Sequence, residues 1–269
     1  MPTAILANNK GGVGKSALTC ALAAALAQRG HRVWAVDMDP QANLSRRLGV
    51  ETEDPDHPIP TLAEALKSAE RGCAADIVVP CGWDDPTAER ISLLPARFDL
   101  ENRVAEAGTV GASLRLSKVM QGLDSPDDWV LIDCPPSLGH LTQMAMVAGG
   151  QPSRRGRVLI VVEPEFDALR GAVRVHSFVQ SSAADLGVPG LTVAGVVLNR
   201  IRSTATHAYN VTEVETRFGP LMWPPYLPLW TAMSDANNDA VPLHTLPGEH
   251  ARELTTRVSA LADRMESQS

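Results

Sequence analysis

The chain has 269 residues, 44% of them hydrophobic and 20% charged, a composition that excludes a disordered tract or a fibre and leaves room for one large α/β domain or two small ones. Lysine and arginine number 24 against 31 aspartates and glutamates, for a net charge of −7, so contact with nucleic acid would need a local basic patch. No run approaches the roughly 18 apolar residues of a spanning helix, and the N-terminus lacks the basic start and cleavage site of a signal peptide, so a soluble cytoplasmic protein without a membrane partner is expected.

From the N-terminus, residues 3–7 predict a strand, and the Ala/Leu-rich stretch 16–29 beyond a glycine-rich turn predicts a helix. A second strand follows at 32–36 and, with Gly30 turning the chain, is expected to return beside the first. The acidic segment 51–60 carries Pro55, Pro58 and Pro60 and reads as a surface loop before a helix starting near Thr61. Short apolar runs at 77–79 and 91–94 read as a strand pair or peripheral insert. Further strands are expected at 129–132, 158–162 and 192–198, with a helix at 169–186. Near-continuous apolar strands joined by long crossovers imply an α/β fold, a mostly parallel twisted sheet with helices on both faces. Near the C-terminus, Ala251, Leu254, Val258, Leu261 and Met265 recur at helical spacing, marking a helix that docks on the body. Its mixed charges disfavour a membrane-surface role.

Cys20, Cys73, Cys81 and Cys134 form no C-x-x-C pair, so reduced thiols are expected in place of a zinc knuckle or a disulfide framework. His140, His176 and His207 lack metal-ligand spacing and read as structural or solvated residues on helical or loop surfaces. Trp129, Trp223 and Trp230 read as core or interface volume.

The chemistry concentrates after the first strand, in Asn9-Lys10-Gly11-Gly12-Val13-Gly14-Lys15-Ser16, a loop leading directly into a helix. Gly11, Gly12 and Gly14 let successive backbone N–H groups point inward, and the helix N-terminus adds its partial positive charge, a cradle for phosphate. Lys15 supplies a mobile cation, and the Ser16 hydroxyl is suited to Mg²⁺. Where an ordinary phosphate loop begins with glycine stands Asn9, followed by a second lysine, Lys10. The second strand leads into Asp37-Met38-Asp39-Pro40-Gln41, and the strand at 129–132 ends in Asp133-Cys134-Pro135-Pro136, an apolar run followed by the type of carboxylate that holds magnesium.

These runs, with Glu163-Pro164, Leu169-Arg170-Gly171, Val196-Val197-Leu198-Asn199-Arg200, and Leu227-Pro228 and Asp235-Ala236 through Val241-Pro242 as a degenerate last motif, resemble the ParA/MinD class of deviant P-loop ATPases, especially ParA-type plasmid and chromosome partition proteins. The resemblance spans nearly the whole chain, 1–269, and implies a single P-loop NTPase domain. It implies ATP and Mg²⁺ as cofactors, with the nucleotide held along Lys10, Gly11, Gly12, Val13, Gly14, Lys15, Ser16 and Ala17. Lys10 would be the signature lysine reaching the partner's nucleotide in an ATP-sandwich homodimer, Lys15 the phosphate lysine, and Asp39 the group positioning the attacking water. Ser16, Asp37 and Asp133 would serve the magnesium, Asn199 would read the adenine edge, and Pro228 would lie near the base.

The resemblance further implies an ATP-dependent dimer that binds nonspecific duplex DNA on the nucleoid and is stimulated by a ParB-like partner. Arg200, Arg202 and Arg217 lie where the family often places DNA-contacting basic residues, while Arg154, Arg155 and Arg157 form a denser competing cluster. After Pro228, residues 229–233 carry no arginine where partition ATPases commonly have several. The phosphate loop starts nine residues in, so no helix-turn-helix domain for operator binding is expected before it. Two other readings share the motifs, a MinD-like membrane or cargo-positioning switch and an ATP-dependent biosynthetic ligase acting on a small carboxylate.

Overall fold

A computed structural model describes residues 1–123 and 125–268. In chain order it contains β1 (Thr3–Ala7), α1 (Lys15–Gln28), β2 (Val33–Asp37), α2 (Asn43–Arg47), α3 (Leu62–Ser68), α4 (Ala74–Ile77), β3 (Val79–Pro80) and β4 (Ile91–Leu94). There follow α5 (Arg115–Val119), β5 (Trp129–Asp133), α6 (His140–Gly149), β6 (Gly156–Val162), α7 (Phe166–Ser182), β7 (Thr192–Leu198), α8 (Ala205–Phe218), α9 (Thr231–Asn238) and α10 (Glu249–Ser267). Short 3₁₀ turns link several of these, including one over Phe98–Glu106.

The strands form one sheet in the order β3-β4-β2-β5-β1-β6-β7, parallel throughout except for the short antiparallel edge pair β3 and β4. Every residue of β1 and β5 is buried, as expected for central strands covered on both faces, where alternation of polar and apolar residues has no use. The expected neighbour relation between the first two strands is corrected: β5 lies between β1 and β2, pairing with both. The crossover through α1 skips one position, and the chain returns much later to fill it. The consequence is chemical, because Asp37 and Asp133 become register partners at the carboxyl ends of adjacent strands. From β1 the chain winds first toward β2 and later toward β6, so a crevice opens at the carboxyl ends where ligands of such sheets bind.

The helix near Thr61 forms as expected: Thr61 caps α3 by accepting from Ala63 N–H at 3.2 Å, and Glu64 reaches back to Thr61 N–H at 2.9 Å, a reciprocal capping box. The run expected as a strand at 77–79 divides instead between the end of α4 and the start of β3. The helix expected at 169–186 is α7, which starts a turn earlier. Its first residue, Phe166, is 69% exposed, and an exposed apolar residue gives no inward periodicity to mark the turn. Ala251, Leu254, Val258, Leu261 and Met265 are all buried, with α10 lying along α1. Arg29, at the end of α1, ties the two together through donation to Ser259 O at 2.7 Å and an ion pair with Asp263 at 2.6 Å.

All four cysteines are free thiols. His140 and His207 are buried, which corrects their expected surface placement. Among the described residues no helix is long and apolar enough to cross a membrane.

Candidate functional site

The loop between β1 and α1 is held from below by Asn8, whose amide donates to Val161 O at 2.7 Å and to Ala168 O at 3.3 Å. Gly171 makes this possible, since a Cβ there would run into Asn8 Oδ1 and the backbone of Asn9. Within the loop, Gly12 and Gly14 have φ of 82° and 88°, a left-handed geometry that glycine adopts without steric cost. At Gly14 space matters as well, because a Cβ would collide with the Asn199 amide. Lys15 is buried and its ammonium curls back to donate to Lys10 O at 3.4 Å. Lys10 is half-buried, and its side chain forms no ion pair among the described residues.

Two carboxylates lie beneath the loop. Asp37 is fully buried and satisfied, accepting from Ser45 N–H and Ser45 Oγ at 2.8 Å and from Asp39 N–H at 3.2 Å. Asp133 is fully buried, and neither of its oxygens has a hydrogen-bond partner. Burial pushes both carboxyls above the ordinary range; the neighbouring Asp37 charge raises Asp133 further, while the Ser45 bonds restrain Asp37. An orphaned carboxylate beside the cradle, with the Ser16 hydroxyl at the helix start, is an oxygen donor set that fits a hard divalent cation such as Mg²⁺. Asp39 is nearly buried and accepts from Gln41 N–H at 3.0 Å.

Loop and carboxylate Asp39 line a cavity of about 530 Å³, a volume suited to a small-molecule cofactor. Gly11, Gly12, Gly14, Lys15, Ser16, Ala17, Asp39, Asn199 and Pro228 all border it, so residues scattered over more than two hundred positions converge on one space. Asn199 spends one amide N–H on Val13 O at 2.9 Å, fixing β7 to the loop. Reading the sequence missed a whole wall: Arg47 of α2, and Met233, Ser234, Asn237 and Asn238 of α9, together with Leu229 and Trp230. The absence of arginines at 229–233 was the one available signal, and here that segment faces the cavity. Trp230 also stacks on His250 of α10, with ring centroids 4.3 Å apart.

The arginine groups separate in space. Arg200, with φ of 58°, and Arg202 both pair with the buried Glu163 at 3.1 Å. Glu163, Glu165 and His207 bring potential ligand atoms within 4.8 Å of one another, yet Glu163 is claimed by the two guanidinium groups and His207 Nδ1 accepts from Arg202 N–H. Arg217 instead borders a shallow groove with Arg170 and Arg174. Of the competing cluster, Arg154 is buried and donates to Met120 O at 2.9 Å, while Arg155 and Arg157 are exposed.

A family profile described as an AAA domain matches residues 1–186. The chromosome partitioning protein ParA of Caulobacter vibrioides is 31% identical over 242 residues, covering 88% of this chain and 84% of its own. The chain belongs to this AAA domain family, in its ParA/MinD class of P-loop ATPases. Soj of Bacillus subtilis, a sporulation initiation inhibitor protein, is 29% identical over 249 residues, with 88% of each chain covered. Among solved structures, the ATP complex of a McdA variant from Cyanothece superposes with a TM-score of 0.82 over 99% of this chain and 96% of its own, at 22% identity, a likeness of fold. Cobyrinic acid a,c-diamide synthase from Mycobacterium smegmatis, bound to ADP and magnesium, superposes with a TM-score of 0.76 at 26% identity over 98% and 93%. The seven-stranded, mostly parallel sheet of this ParA/MinD-class chain is therefore the P-loop NTPase fold anticipated from its motifs.

Proposed function

We propose that this chain is a slow, Mg²⁺-dependent ATPase switch for DNA partition, which dimerises with ATP, binds nonspecific duplex DNA on the nucleoid in that state, and is reset by a ParB-like partner. The observation that carries the reading is the contrast between two lysines of one loop. Lys15 is buried against the cradle it serves, whereas Lys10 is half-buried, lies outside the cavity lining and has no ion pair among the described residues. A second cation that its own loop leaves uncommitted is placed to meet a nucleotide held by another copy.

In this mechanism the N–H groups from Gly11 to Ala17 and the Lys15 ammonium bind the phosphates, while Asn199 and Pro228 border the base. Ser16, Asp37 and Asp133 would hold magnesium, which would supply neutralisation of the charge developing on the phosphates. Asp39 orients water by hydrogen bonding; it is anchored through Gln41 N–H and so is presented in a fixed pose. With Arg200 and Arg202 tied to Glu163, Arg217 beside Arg170 and Arg174 offers the freer cationic surface for DNA phosphates.

A membrane switch of the MinD type finds no support in α10, whose apolar stripe is committed to the core. Duplex DNA binding measured with ATP, with ADP and without nucleotide decides the matter. The expected outcome is sequence-independent binding with ATP alone, with log affinity falling linearly against log salt. An ATP-bound protein that ignores DNA at low salt would overturn the partition role, and ADP formation accelerated by a small carboxylic acid without DNA would establish the ligase reading.

A further inference from the structure

Arg47, the last residue of α2, is a charged group on the cavity wall that the mechanism above leaves unused. Its carbonyl accepts from Trp83 Nε1 at 2.8 Å and from the Cys20 thiol at 3.8 Å. Cys20 follows Ser16 by four residues and Ala17 by three, so all three share one face of α1, and Arg47 is held beside the face that begins at the phosphate loop. Its Nη1 donates to Asn43 O at 2.9 Å, while Nε is buried without a hydrogen-bond partner. No carboxylate among the described residues forms an ion pair with it. Burial pulls its pKa below the ordinary arginine value.

A guanidinium partly withdrawn from water, with Asp133 and Asp37 acting on it only at a distance and no ion pair formed, carries an electrostatic cost. That cost is offset if an anion enters the cavity, and the anion for which the rest of this cavity is built is a nucleotide phosphate. Along a strand–loop–helix cradle, the backbone at the start of the helix serves the α- and β-phosphates, and Ser16 and Ala17, on the α1 face that Cys20 sets beside Arg47, line the same cavity as Arg47. Resting on the ATP-site reading, we propose that Arg47 is a nucleotide-contacting residue whose guanidinium takes oxygens of the α- and β-phosphates, the part common to ATP and ADP. Its planar fork suits two phosphate oxygens at once, a geometry that lysine does not reproduce.

Titration calorimetry with ADP in EDTA, on wild type, Arg47→Met and Arg47→Lys, separates this role from support of the magnesium carboxylates. The wild type is expected to bind ADP without magnesium, Arg47→Met to lose about tenfold or more in affinity for ADP and ATP alike, and Arg47→Lys to recover only part. Should Arg47→Met fail to fold by circular dichroism, Arg47→Lys, which keeps stem and charge, carries the test by the same intermediate loss. Unchanged ADP affinity in the variants, or a loss seen only when Mg²⁺ is added, would overturn the contact while leaving the ATP site standing. A wild type that binds neither nucleotide would overturn the ATP-site reading, and the contact with it.

Discussion

Lys15 and Asp39 border the same cavity, and the proposed function gives them different steps. Lys15 is buried along the cradle, so Lys15→Ala is expected to abolish nucleotide binding in a filter or fluorescence assay. Asp39 leaves the loop geometry untouched when removed, since its bond is to Gln41 N–H. Asp39→Ala is therefore expected to retain ATP affinity while hydrolysis falls by about a hundredfold. Equal turnover by Asp39→Ala and wild type would remove Asp39 from the reaction. The Asp133 carboxyl belongs to this scale as well: buried without a hydrogen-bond partner and beside Asp37, it is disfavoured in its charged form in the free protein, and a bound cation is what would favour that form.

At the scale of elements, the connection between α10 and α1 determines how firmly the phosphate-binding helix is seated. Leu254 and Leu261 are completely buried on the docked face of α10, and Arg29 reinforces the contact from the end of α1. Leu261→Ala should destabilise the fold by about 3 kcal/mol in urea unfolding, the typical cost of a buried leucine truncation. A loss under about 1 kcal/mol would show that α10 is loosely attached. The face was evident from its 3-4-3-4 spacing, because a helix that buries one side must repeat its apolar residues at that period. By contrast, α9 gave no such signal: its cavity side carries Ser234, Asn237 and Asn238, polar residues that break the apolar pattern.

For the whole molecule, the net charge of −7 opposes approach to DNA, and a dimer doubles it, so binding has to depend on how local arginines are presented. Dimerisation itself is tested through Lys10. In size-exclusion chromatography with light scattering, Asp39→Ala with ATP is expected at dimer mass and without nucleotide at monomer mass. Adding Lys10→Ala to it should restore the monomer in the presence of ATP. A dimer that forms without ATP and survives loss of Lys10 would rule out an interface closed by the nucleotide.

The sequence by itself determined the α/β class, the phosphate loop, the strand-end carboxylates Asp37 and Asp133, and the family to which they belong. Each of these is written locally, in five to eight neighbouring residues whose apolar run or glycine spacing has a direct physical meaning. Only the tertiary structure decided that β5 separates β1 from β2 and sets Asp133 beside Asp37, that Glu163 restrains Arg200 and Arg202, and that Arg47 and α9 complete the cavity. Those outcomes depend on strand order and on which long side chains meet across it, and contacts between residues far apart in the chain leave no periodicity in either segment to announce them.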